Sequence, residues 1–541
     1  MTSAFKRLAE KPILLLIIVN VLAGLLTYRQ YGTAWDEPLF YSYADALGYA
    51  YSPKEWFSGH FDLYNSYGAS ADDHKNRGPA YLFLARPFVY GLKALGSDSA
   101  DAWHLVNFLF FQLGIYLLYR FAQRWMSKPA AFFTAVFFSF QPLLWGHAFI
   151  NPKDPPFLTF FLGAVCFGFE MVDALAQNAK AQTRSMLLAA FFLGIATSIR
   201  VLGPFAGLLV FLYFLSKPSL RKDRPAWRRF VLYGFASAAV MLATWPYLWE
   251  NPIGNFFAVL RFMSDNPTQL GLLFEGEIYR ANNLPLRYFP FMLVTTLTEP
   301  VIPLAVLGVM LGFWKMLRGG APSPQVRKDR VTSLALVFLW FFTLAAYIFL
   351  RRPSMYDGIR HFLFILPPVF IFAGLAYEVI IEKATIVLRR LKFPAWATSL
   401  FWLRALGGVV LLLPSLYGIL KLHPYEYTYY NFYIGGTSRA FRTYETDYWL
   451  TCYKDAVQAL NQKVNAPVRL FVKREAYLAK PFAGENVQVF QLGDPAVEVR
   501  PGDYVLANSR TNDNFTTYPK APIVIEISRV GAKFCTIRQV P

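Results

Sequence analysis

Carboxylates and cations that could act together recur in this sequence at the edges of apolar runs. The pair Asp36-Glu37 stands just after a first apolar run, in Ala34-Trp35-Asp36-Glu37-Pro38. A carboxylate there can take a proton from a hydroxyl. Asp36 can equally cap a helix, with Glu37 in the first turn, where the helix dipole favours acid. Asp72, Asp73, His74, Lys75 and Arg77 form a charged knot before Gly78-Pro79. It reads as a solvated helix start, or as a second polar wall in which Asp73 and His74 face the same site. Asn151-Pro152-Lys153-Asp154-Pro155-Pro156 opens another apolar run. Asp154 at an N-cap with Pro155 behind it is a good helix start. That leaves Lys153 to meet an anion or to snorkel. Arg200 closes an apolar run, Arg351, Arg352, Arg360 and His361 crowd one short loop, and Glu299 precedes Pro300 at a run boundary. Glu299 suits a helix start or a site wall. Arginines and a histidine at such edges suit an anionic ligand, phosphate above all, or lipid head groups.

These residues need a frame. The chain has 541 residues, 55% hydrophobic and only 16% charged. That is too apolar for a soluble core, against roughly 25% charged in an ordinary soluble domain. Apolar runs at 12–28, 102–120, 129–147, 156–176, 185–201, 203–216, 230–249, 299–317, 332–350, 362–381 and 404–421 predict about eleven transmembrane helices. The net charge of +19 could suggest nucleic acid, but the basic residues gather in short loops between the runs. Under the positive-inside rule, loops 120–128, 177–184, 217–229, 315–331 and 382–403 are cytoplasmic, as is the N-terminus behind Lys6, Arg7 and Lys11. No nucleic-acid partner is expected. The arginine-rich loop at 351–361 then falls on the outer side, against the charge trend.

Two outer segments between runs are long. The loop 29–101 predicts interfacial helices near 37–51 and 79–95, and 284–298 predicts an interfacial or re-entrant helix broken by Pro285 and Pro290. Residues 422–541 change character. A helix at 453–462 followed by strands at 468–472, 487–491, 504–507 and 523–527 predicts a small extracytoplasmic α/β domain. The chain therefore divides into a membrane domain, 1–421, and a terminal domain, 422–541. Cys452 and Cys535 fall in the latter and could pair in an oxidising compartment, whereas Cys166 lies in an apolar run and is read as inert. No cysteine–histidine cluster points to a metal.

The arrangement resembles the GT-C membrane glycosyltransferases, and among them the protein O-mannosyltransferases and their bacterial relatives, including the aminoarabinose transferases of lipid A. Trp35-Asp36-Glu37 resembles their acidic pair after the first span. Asn151-Pro152-Lys153-Asp154-Pro155-Pro156-Phe157 and Ile359-Arg360-His361-Phe362 with Leu366-Pro367-Pro368 resemble further motifs. Tyr429-Tyr430-Asn431 and Tyr444-Glu445-Thr446-Asp447-Tyr448-Trp449 are similar to a bacterial branch. The first loop departs from the eukaryotic pattern, having Asp73-His74-Lys75-Asn76-Arg77-Gly78-Pro79 in place of a His-Pro-Pro segment.

The resemblance implies a bacterial inner-membrane enzyme that moves a sugar from a polyprenyl-phosphate donor to a hydroxyl of a protein, lipid or glycan, with inversion. It implies Asp36 as general base with Glu37 beside it. Arg200, Arg360, His361 and Lys153 would bind the donor phosphate, with Asp73, His74, Asp154 and Glu299 as site walls. The resemblance fixes no cofactor, and Asp36 with Asp154 could hold Mg or Mn. A lipid-linked sugar flippase and a membrane scaffold are the alternatives. Central charges in the runs are few, which disfavours a transport path, and a scaffold leaves the outer arginines without a role.

Overall fold

The computed structural model describes residues 11–178, 182–264, 269–318 and 323–541. Lys6 and Arg7, read as the cytoplasmic flank of the first run, lie outside them.

Each predicted apolar run falls on a helix, and prolines start many of these helices. Pro12, Pro204 and Pro324 sit in the first turn of Pro12–Thr27, Pro204–Leu215 and Pro324–Arg351. Proline has no N–H to lose there. Among the described residues, eight helices are long and apolar enough to cross a membrane. They include Ser99–Ala122, Asp154–Ala176, Gln182–Ile199, Val301–Arg318 and Leu400–Leu422. A ninth candidate is the pair Lys128–Ser139 and Pro142–Ile150, bent by 63° at Phe140-Gln141. Two predicted spans fail that test. Pro204–Leu215 has 12 residues, about 18 Å of helix against a hydrocarbon core of about 30 Å. Arg224–Ala243 begins on the arginines of a basic loop, Arg224, Arg228 and Arg229, and stops before Trp245-Pro246.

Burial sorts the helices. In an apolar 18-residue stretch of Asp154–Ala176 and of Arg360–Arg390, 89% and 94% of the residues are buried, against 22% in Pro12–Gln30 and in Leu400–Leu422. The first two form the centre and the others expose leucine and valine around it, as lipid-facing helices do. Charged residues near one end of the bundle are paired. Arg124 meets Asp173 at 2.6 Å, Lys217 bridges Asp173 and Asp329 at 3.0 and 2.8 Å, and Lys315 meets Glu378 at 2.8 Å. These pairs draw together the ends of the helices that border the predicted cytoplasmic loops.

The segments predicted to lie outside form helices where interfacial ones are expected, Glu37–Ala46, Ala80–Ala94 and Tyr288–Thr296. A hairpin that the sequence reading lacked joins them: strands β1, Gly271–Phe274, and β2, Glu277–Arg280, turn through Glu275 and Gly276, both at positive φ. Positive φ at both central positions is the hairpin turn geometry.

The terminal domain carries the helix Tyr453–Lys463 and five strands: β3 Val468–Val472, β4 Val487–Gln491, β5 Tyr504–Asn508, β6 Ile523–Arg529 and β7 Ala532–Gln539. Their order is β4-β3-β5-β7-β6, parallel from β4 to β5 and antiparallel beyond. The final strand is an addition to the four predicted. A disulfide joins Cys452 to Cys535 on β7, with Cα atoms 5.9 Å apart.

Candidate active site

The two central helices both begin at the end predicted to face outward, and their first residues are Asp154 and Arg360. Asn151 prepares the first of them: its Oδ1 accepts from the N–H of Asp154 at 2.9 Å, and its Nδ2 donates to Asp154 Oδ2 at 2.9 Å. Asp154, only 2% exposed, is thereby fixed at a helix start and still pairs with Arg200. Arg360 Nη1 lies 3.5 Å from Asp154 Oδ2 and 3.5 Å from Asp36 Oδ2, while Nη2 meets Asp357 at 3.0 Å. The Arg360 guanidinium sits between the rings of Tyr356 and Trp449, 4.9 Å from each centroid. A chain of alternating charge thus runs Asp36, Arg360, Asp154, Arg200.

Asp36 keeps 39% of its side chain open to solvent at one end of this chain. Arg200 opens into a cleft of about 170 Å³ at the other. Arg77, Lys153 and His361 line the polar side of the cleft with Arg200, and Leu202, Leu260, Met263, Tyr347 and Phe362 line the apolar side. Gly78 makes the approach possible: a Cβ there would run into the Ser198 carbonyl, at the end of the helix that delivers Arg200. Arg77 is held by a bidentate bond to Asp73, at 2.5 and 3.0 Å. Burial opposes ionisation of Asp73, yet Arg77 holds its carboxyl below the usual range. Lys153 has the reverse problem. Burial pushes its ammonium well below the ordinary value, and Arg77 and Arg200 add to the effect. A dianion in the cleft would relieve that stress.

Other candidates lie elsewhere. Glu37 is fully buried, accepts from Ala34 N at 2.6 Å and Tyr41 OH at 2.7 Å, and meets His104 at 3.1 Å. It clasps the loop instead of facing the cleft. His74 stacks between Phe40 and Tyr43, at 5.4 and 4.9 Å, and burial pushes it down to about 4. It is a neutral packing residue. Glu299 accepts from the N–H of Phe432 at 2.7 Å, away from Asp36. Arg351 and Arg352 are exposed, so only Arg360 and His361 of that loop turn inward.

Four residues of this neighbourhood are assigned no role in the sequence reading. Arg77 appears there only as part of a charged knot. Asp357 lies three residues before Arg360, in a bend at positive φ, and that nearness in sequence is a local signal. Trp449 and Arg510 arrive through the terminal domain; Trp449 closes the quoted motif that begins at Tyr444, and nothing local marks Arg510.

Asp36 and Asp154 do not fit a divalent metal. Both flank the same guanidinium nitrogen at 3.5 Å, so the cation between them is Arg360, where Mg or Mn would need several oxygens of its own. Asp447 lies near both Cys452 and Cys535, but their sulfurs are bonded to each other and offer no thiolate.

The sequence profile of the dolichyl-phosphate-mannose-protein mannosyltransferase family matches residues 78–249. That stretch holds Lys153, Asp154 and Arg200. No curated protein sequence matches the chain. Among solved structures, the archaeal oligosaccharyltransferase AglB from Archaeoglobus fulgidus, in complex with an inhibitory peptide and a dolichol-phosphate, aligns at TM-score 0.50 and 10% identity. The alignment covers 89% of this chain and 64% of that one, so this chain spans less than two thirds of its length. The A. fulgidus enzyme tethered to an acceptor peptide with the NVT sequon aligns at TM-score 0.51 and 10% identity, over 94% and 70% of the two chains. The arabinofuranosyltransferase AftD from Mycobacteria aligns at 0.40 and 12%, over 86% and 36%. The A. fulgidus alignments establish a shared fold: this chain is a multi-pass membrane protein with the GT-C glycosyltransferase architecture.

Proposed function

Starting from that fold, we propose that the chain transfers a sugar from a polyprenyl-phosphate donor to the hydroxyl of an extracytoplasmic acceptor, with inversion. One observation carries the reading: an open carboxylate, Asp36, is coupled through Arg360 and Asp154 to a cleft lined by Arg77, Lys153, Arg200 and His361. The apolar wall of the cleft suits the start of a prenyl chain and the cations suit its phosphate. A lipid-linked donor also accords with the dolichol-phosphate bound by the archaeal oligosaccharyltransferase.

In the step proposed, Asp36 accepts the acceptor's hydroxyl proton as the oxygen bonds to the anomeric carbon. The bond from that carbon to the phosphate oxygen breaks, and its electron pair leaves with the phosphate. Arg77, Lys153 and Arg200 meet the charge that develops. A single displacement inverts the anomeric centre. Glu37 keeps the Asp36 loop in register and takes no proton. The site belongs to the first outer loop, 29–101, and to the membrane domain, 1–421, with the terminal domain, 422–541, on the same outer face of a bacterial inner membrane.

Purified protein given synthetic polyprenyl-phosphate sugars and hydroxyl acceptors should release free polyprenyl phosphate. Reconstituted protein that moves a fluorescent lipid-linked sugar across liposomes, with no release from any donor, would mean a transporter instead.

A further inference from the structure

Trp449 and Arg510 reach the site from beyond the membrane helices, and Arg510 has the more demanding position. It follows β5, is 1% exposed, and carries a full charge into the interior. Such a charge is retained only with partners. Its Nη1 lies 2.7 Å from Asp357 Oδ1 and donates to the Tyr448 carbonyl at 2.5 Å. Its guanidinium also lies 5.0 Å from the ring centroid of Trp35, the residue before Asp36.

Arg510 therefore touches both halves of the catalytic pair one residue removed. On one side is Trp35, bonded in sequence to Asp36. On the other is Asp357, whose second oxygen takes Arg360 Nη2 at 3.0 Å and the Trp449 indole N–H at 2.9 Å. Asp357 thus divides its charge between two arginines. The far nitrogen of Arg360 is left for Asp36 and Asp154, at 3.5 Å from each. Without Arg510, Asp357 would have, among the described residues, Arg360 as its one cation and would draw the guanidinium towards itself, away from both carboxylates. The Asp36 loop is bound to the same domain by Trp35 N donating to the Trp449 carbonyl at 3.2 Å and by Tyr477 OH donating to the Trp35 carbonyl at 3.0 Å. Gly32 lets it approach, since a Cβ there would strike the Thr451 carbonyl.

The geometry points to Arg510 as a positioning residue: through Asp357 and Trp35, the terminal domain holds Arg360 and Asp36 in register, and the membrane domain's site is incomplete without it. This rests on the transfer reading above and adds to it a role for the terminal domain.

The test uses the full chain and four variants: Arg510→Met, Arg510→Lys, Asp357→Asn and the double variant Arg510→Met with Asp357→Asn. Arg510→Met should lower kcat at least tenfold with the donor KM within threefold, and Arg510→Lys should recover part of the loss. Because both residues act through Arg360, the double variant should lose no more than the worse single variant. Wild-type kcat in Arg510→Met, or losses that multiply in the double variant, would overturn the inference. Should Arg510→Met not fold, Arg510→Lys carries the same comparison with Asp357→Asn. Should the wild-type chain transfer no sugar, the transfer reading fails, and hydrogen exchange then decides on Arg510 separately. Arg510→Met and Asp357→Asn should both speed exchange in 33–40 while β5 stays protected. Unchanged exchange in 33–40 would overturn the positioning role.

Discussion

At the scale of single residues, the cations divide by what already holds them. Arg360 is committed to three carboxylates, Arg77 to Asp73 and Arg200 to Asp154, whereas Lys153 is buried among cations. Lys153→Ala should therefore weaken donor binding, raising the donor KM more than it lowers kcat. Arg200→Ala should lower kcat/KM by an amount equivalent to about 2–4 kcal/mol, since it removes a phosphate partner and the ion-pair partner of buried Asp154. Arg200→Lys should recover only part, because the planar fork is lost. Steady-state kinetics with one synthetic donor reads both. Asp36, Lys153, Asp154, Arg200, Arg360 and His361 were all legible as candidates, because a charge at the edge of an apolar run is costly enough to need a reason. The family resemblance, and not the residue pattern, sets Asp36 apart as the base and leaves Glu37 to orient the loop. Adjacent residues on a helix start point to different faces, and the pattern does not say which face meets the cleft.

At the scale of elements, close approach decides more than hydrophobic pattern. Gly78 lets the 77–78 turn lie on the end of the helix Gln182–Ile199. Gly78→Ala should cost about 1–3 kcal/mol of stability by forcing the two apart. It should also weaken donor binding, because Arg77 moves with the turn. A thermal melt in detergent and a donor titration check the two effects. The long helices and the three shorter ones at 37–46, 80–94 and 288–296 were legible because their apolar periodicity is local. Hairpin β1–β2 was missed: its strands have four residues each and a Glu-Gly turn in place of Asn-Gly. Strand β7 was missed because polar residues interrupt it. In the fold those polar residues find partners on and just before the neighbouring strand β6, Lys533 with Glu526 at 2.7 Å and Arg538 with the Ala521 carbonyl at 2.6 Å.

At the scale of the whole molecule, the terminal domain and the bundle share buried charge, and this should appear as pH dependence. Glu445 is fully buried between them. Burial pushes its carboxyl up to about 8, while Arg510 opposes the shift and Asp357 reinforces it. A raised folded value means that Glu445 stabilises the packing when protonated, fully below its unfolded range and progressively less as pH rises towards 8. The melting temperature should fall between about pH 5 and 8, and Glu445→Gln should flatten that slope. An equal slope in the variant would assign the effect to another group. The disulfide gives a second check. Alkylation of the denatured, unreduced protein should modify Cys166 alone, and Cys452 and Cys535 only after reduction. Free thiols at both would put the terminal domain in a reducing compartment and reverse the orientation proposed for the chain. The division of the chain into bundle and sheet was legible from composition. Their joint construction of one site was not, because Arg510 stands some 150 residues after Arg360 in the sequence and nothing in its neighbourhood signals a membrane partner.

The central claim is that Asp36 takes the acceptor's proton while the cleft holds the donor. Asp36→Asn tests it most directly, because the amide keeps the shape and removes the base. Transfer should fall by about 10²–10⁴-fold, with the melting temperature and the binding of polyprenyl phosphate unchanged. Near wild-type transfer by Asp36→Asn would contradict the account and leave the acidic pair as a helix start.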